Sequence, residues 1–83
     1  MIHSFDIPGD RDLTEDELDL AFNIQMVYEG YIIPEHGGGR PAMFHCDIPA
    51  DSLETAIRDA AVVIRRLGLV PGSAIVPVPE PVG

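Results

Sequence analysis

Few residues in this chain are of types that do chemistry. His36, His45, Cys46 and Asp47 are metal-ligand types. His45 and Cys46 are neighbours on an extended segment, so they point to opposite faces and cannot easily share one ion. No Cys-x-x-Cys or His-x-x-x-His spacing supports a site, and Cys46 reads as a small core residue. Asp10, Asp12 and Glu15 resemble the start of a calcium loop without its later ligands, which leaves a capped turn. Gly37-Gly38-Gly39-Arg40 could cradle a phosphate. A phosphate loop needs a Lys-Ser/Thr pair and a following helix; here Pro41 and an extended segment follow, so a hairpin tip is expected. Ser4, Ser52 and Ser73 lack a His and an acid in an order suited to nucleophilic catalysis, and Ser52 serves better as a helix cap. His45 and Asp47 could form an acid–base pair, although a polar sheet face accounts for both. No catalytic, cofactor or metal residue is expected.

The elements that must position these residues are better marked. Ile2 to Ile7 alternates as a strand, with Phe5 and Ile7 on one face and Ser4 and Asp6 on the other. Thr14 and Glu17 form a capping box, and Leu13 and Leu18 supply a hydrophobic staple. The helix they open carries Leu18, Ala21, Phe22 and Gln25 on one stripe. Leu20, Ile24 and Val27 lie on a second, nearly opposite stripe, which needs a further partner. The helix ends near Asn23 or at Gly30. Tyr31-Ile32-Ile33 is a short strand. Ala42 to Ile48 is another, with Phe44, Cys46 and Ile48 on one face and Met43, His45 and Asp47 on the other. After Asp51-Ser52, a second helix holds Leu53, Ala56, Ile57, Ala60, Ile64 and Leu67 at i, i+3, i+4 spacing. Glu54 and Arg58 make a favourable i, i+4 pair. Gly68 ends this helix, and Val62 projects away from its core stripe. Ser73 to Val78 can form a last strand, an edge or one that frays because of Pro77 and Pro79.

The order is strand, helix, strand, strand, helix, strand. That is the split β-α-β pattern of ferredoxin-like α+β domains: four antiparallel strands, both helices on one face and the other face open. Phe5, Ile7, Phe44, Leu53, Ile57, Ile64 and Leu67 are the expected core. Residues 1–83 make a single domain, with 79–83 a loose tail.

The 83 residues carry a net charge of −9, and all five basic residues are Arg. Residues 6 to 19 hold seven acids and one Arg. Direct binding to nucleic acid or to an anionic membrane is disfavoured, because both need clustered cations. No apolar run reaches the ~18 residues of a membrane span, and no secretory signal follows Met1. The lone Cys46 suits a reducing, cytoplasmic setting. Arg without Lys, with abundant Ala, Asp, Gly, Pro and Val, points to GC-rich coding in an actinobacterium or its phage.

One resemblance spans most of the chain. Phe5 and Gly9, then Leu13, Thr14 and Glu17, then Asp47, then Ser52, Leu53, Glu54, Ala56 and Ile57, then Gly68 and Leu69 are similar to small acidic ferredoxin-like α+β domains of actinobacteria and their phages. Some of those sit beside helix-turn-helix domains. Every matching position is structural, so the resemblance implies a fold and no chemistry. The chain departs from the pattern between Asn23 and Met43.

The function expected from these features is a non-enzymatic interaction or regulatory module, homo-oligomeric through Leu20, Ile24, Val27 and Val62. A host or regulatory protein is the other candidate partner. An alternative is a small ligand-binding or enzymatic domain using the open sheet face near His45 and Asp47. A third reading is an acidic decoy of a nucleic-acid-binding protein.

Overall fold

The computed structural model describes residues 1–25 and 30–76, the side chains of Phe22, Ile24 and Gln25 excepted. The chain is a small α+β unit, and its described residues form β1 (Ile2–Pro8), α1 (Glu15–Gln25), β2 (Tyr31–Glu35), β3 (Met43–Pro49) and α2 (Leu53–Arg66). The three strands form an antiparallel sheet in the order β1-β3-β2. Register pairs Phe5 with Cys46 and Ile7 with Phe44 on one side of β3. On its other side Ile32 pairs with Cys46. Alternation then turns Phe5, Ile7, Ile32, Phe44, Cys46 and Ile48 to one face, and all six are buried.

That face is the core. It joins Ala21 of α1 and Ala56, Ala60, Val63 and Ile64 of α2 in one cluster, so both helices cover the same side of the sheet. α1 lies over β2, and α2 lies over β3 and β1. Of the expected core residues, Phe5, Ile7, Phe44, Ile64 and Leu67 are buried. Leu53 and Ile57 are only half-buried and pack against the edge of the cluster. The small Ala56 and Ala60, both fully buried, bring the helix backbone close to the sheet, and the larger neighbours flank that contact.

The helix ends form as their residue types dictate. Thr14 Oγ1 accepts the Glu17 N–H at 3.2 Å, and Glu17 Oε1 accepts the Thr14 N–H at 2.9 Å; the box is reciprocal. Ser52 caps α2 by accepting the Thr55 N–H at 3.2 Å. At the other end Gly68 has φ +91°. It donates to the Arg65 carbonyl, while Leu69 donates to that of Ile64. This is a Schellman stop, which favours glycine because a side chain is strained at that φ. The expected Glu54–Arg58 pair is not among the ion pairs of the described residues.

The expected fourth strand, Ser73–Val78, is not present as a strand among the described residues. Ile75 makes a single antiparallel bridge with Asp6, with the Asp6 N–H donating at 2.9 Å and the Ile75 N–H at 2.7 Å. Successive N–H groups facing a partner strand are two residues apart. Pro77, two residues on in the sequence, has no N–H to donate and lies outside the described residues. Residues 77–83, which include the end of the expected strand, Pro79 and the expected 79–83 tail, lie outside the described residues.

Candidate functional site

The sheet face away from the helices collects the polar residues of β1 and β3. Pairing places Ile75, Asp6, His45 and Ile33 in one cross-strand row. Ser4, Asp47 and Tyr31 form the next row, and Pro8, Met43 and Glu35 another. His45 is the centre. Its Nδ1 lies 2.8 Å from Asp6 Oδ1, and its Nε2 lies 2.9 Å from Glu35 Oε2. Carboxylates accept and do not donate, so both ring nitrogens must carry protons to make both bonds. The arrangement therefore favours the imidazolium form. The Glu35 bond first and the Asp6 bond second raise the His45 pKa above its ordinary 6.5.

Asp47 does not reach His45. Two residues apart along a strand they are separated by about 6.6 Å, whereas direct cross-strand neighbours lie within about 5.5 Å. Asp47 instead accepts the Ser4 hydroxyl at 2.5 Å. Cys46 points into the core and donates to the Phe44 carbonyl at 3.5 Å. Burial first, then the charges of Asp6 and Asp47, push its thiol up to about 12. Among the described residues no group of three or more His, Cys, Asp or Glu side chains could hold a metal ion.

A depression of about 570 Å³ opens at one end of this face. Asp6, Glu35, Met43 and His45 of the strands line it together with His36 and Arg40 of the hairpin. Around the polar rows stand exposed apolar side chains: Tyr31 at 61%, Ile33 at 50% and Ile75 at 52%. The face thus offers three carboxylates, Asp6, Glu35 and Asp47, against one imidazolium, with an apolar margin.

The other candidates have structural work. Gly37, Gly38 and Gly39 all have positive φ, and the Gly37 N–H donates to Asp12 Oδ1 at 3.1 Å. The chain's own carboxylate thus takes a donor that a phosphate would use. Asp12 also accepts the Leu13 N–H at 2.9 Å, and Asp10 accepts the Val70 N–H at 3.0 Å. Arg11 pairs with Glu17 and donates to the Gly68 carbonyl at 3.2 Å, tying the start of α1 to the end of α2. That pairing first, and the Thr14 N–H second, hold the Glu17 carboxyl at about 2, below its ordinary 4.5. Much of the acidic 6–19 segment therefore closes turns and caps. Leu20 and Val62 are 42% and 39% exposed on the outer helix faces. The side chain of Ile24, and all of Val27, lie outside the described residues.

Sequence reasoning missed Asp6 and Glu35 as the partners of His45. Their sequence separations of 39 and 10 residues make the contacts a matter of register. The available signal was an acid on the outward face of both strands flanking His45. No protein-family model, curated protein or solved structure matches this chain.

Proposed function

We propose that the chain is a non-enzymatic protein-interaction module of ferredoxin-like arrangement, and that its open sheet face holds a basic, partly apolar segment of another protein. The order β1-β3-β2 with a bridge on the free side of β1 supports that arrangement, with residues around Ile75 as a minimal fourth strand. The observation that carries the reading is the composition of the open face. Three carboxylates outnumber one imidazolium, and Tyr31, Ile33 and Ile75 stand exposed beside them. A cationic segment with apolar side chains satisfies both features; a nucleic-acid backbone satisfies neither. A partner that itself binds nucleic acid has this chemistry, so the decoy role is one form of the same proposal. Acid–base catalysis fits less well, because both ring nitrogens of His45 are engaged by carboxylates.

The depression supports a second reading, a small ligand held among His36, Arg40, Met43 and His45. One titration separates the two. Amide and side-chain NMR signals are followed while a peptide alternating arginine and valine is added, with a glutamate–valine peptide as control. Shifts confined to Tyr31, Ile33, His45, Asp47 and Ile75 support the segment-binding reading. No shift on the sheet face, or equal shifts with both peptides, defeats it. A small-ligand site predicts indifference to both peptides.

A further inference from the structure

The outer faces of the two helices differ in sign. α1 carries four acids and no base, while three of the five Arg residues of the chain lie on α2. Leu20 is exposed with Asp16, Asp19 and Asn23 around it at i−4, i−1 and i+3, all three exposed. Val62 is exposed with Arg58, Asp59 and Arg65 around it at i−4, i−3 and i+3, again all exposed. Among the described side chains, α1 thus presents Leu20 beside two acids and an asparagine, and α2 presents Val62 beside two bases and one acid. The two helices lie side by side on the same sheet face.

We infer that a second copy of this chain packs on the helical layer, with α1 of one copy against α2 of the other. The inference extends the interaction-module reading and rests on it. A two-fold axis parallel to the helices and lying between the layers places each α1 over the partner copy's α2. An axis across the helices would instead stack α1 on α1, acids against acids, which charge repulsion opposes. The first arrangement brings Leu20 onto Val62 twice and sets Asp16 and Asp19 opposite Arg58 and Arg65. It also leaves both open sheet faces outward, free for their partner. Two chains of charge −9 repel at long range, but physiological salt confines that repulsion to about 8 Å. Local complementarity then decides the pairing.

Charge reversal tests this. Light scattering at millimolar concentration should find wild type dimeric. Arg58→Glu with Arg65→Glu should be monomeric. Asp16→Arg with Asp19→Arg should also be monomeric, although it lowers the net negative charge. An equimolar mixture of the two double variants should form a heterodimer, since both of its contacts are again complementary. Circular dichroism checks that each variant is folded. Should one fail to fold, Leu20→Cys mixed with Val62→Cys under a mild oxidant gives the same information: cross-links join position 20 to position 62. A monomeric wild type overturns the inference, as does tighter association of the acid-side variant or cross-linking dominated by position 20 to itself. A monomer that still binds the arginine–valine peptide on its sheet face loses only the dimer. A dimer that ignores the peptide loses only the sheet-face reading.

Discussion

Replacing His45 with glutamine should remove a pH dependence from stability. In the folded chain the imidazole stands between Asp6 and Glu35 at 2.8 and 2.9 Å. All three side chains are substantially exposed, at 46%, 41% and 74%. Exposed pairs are worth about 0.2–1 kcal/mol each. Glu35, the most exposed, belongs at the low end, so the two together contribute about 0.5–1.5 kcal/mol. The folded pKa is raised above 6.5. The contribution is therefore complete below that value and is lost as pH rises through the folded pKa. Neutral histidine keeps one lone pair and can satisfy only one carboxylate. Urea denaturation measures this at about pH 5.5 and about pH 8.5, either side of the histidine range. With a slope near 1 kcal/mol per M, the wild-type midpoint should fall by about 0.5–1.5 M more than that of His45→Gln over this interval. Parallel midpoints in the two proteins would refute the imidazolium bridge.

Three further outcomes follow from the same geometry. Thr14→Ala should lower stability by about 1 kcal/mol, read as a urea midpoint shift, because Glu17 loses its cap acceptor. Glu17→Gln should reduce the loss of stability on acidification. The wild-type carboxyl at about 2 contributes fully above its ordinary range, and that contribution disappears as pH falls toward 2. Cys46 should react with a thiol reagent only through opening of the core, given its burial and its thiol at about 12. Labelling should therefore accelerate with denaturant, and rapid labelling of the native chain would contradict its placement.

Local signals in the sequence account for most of the fold. Thr14 with Glu17 and Ser52 with Thr55 are contacts within one turn, and residue type alone specifies them. Gly68 marks the end of α2 because few other residues tolerate its φ. Alternation in Met43–Pro49 correctly sends Cys46 inward and His45 outward. The expected last strand, Ser73–Val78, is only a single bridge at Ile75 among the described residues, and alternation alone does not reveal how few ladder bonds a segment makes. The half-burial of Leu53 and Ile57 was also hidden, because periodicity gives a helix face and not its depth. The candidate site was the least legible. Asp6, His45 and Glu35 come from three strands, and only the pairing of Asp6 with His45 and Glu35 with Met43 brings them together. Likewise, Asp12 was visible as a turn residue but not as the acceptor for Gly37.

On the proposed reading the open sheet face, and not the overall acidity, holds a basic segment. Calorimetric titration of the arginine–valine peptide into wild type, Asp47→Lys and Asp51→Lys tests it most directly. The two substitutions change net charge equally. Asp47 lies on the open face, and Asp51 is exposed in the turn before α2. Asp47→Lys should weaken binding by about tenfold or more, a loss of about 1.4 kcal/mol, while Asp51→Lys should stay close to wild type. Equal weakening by both substitutions would mean that only net charge attracts the peptide, and would contradict the sheet-face site.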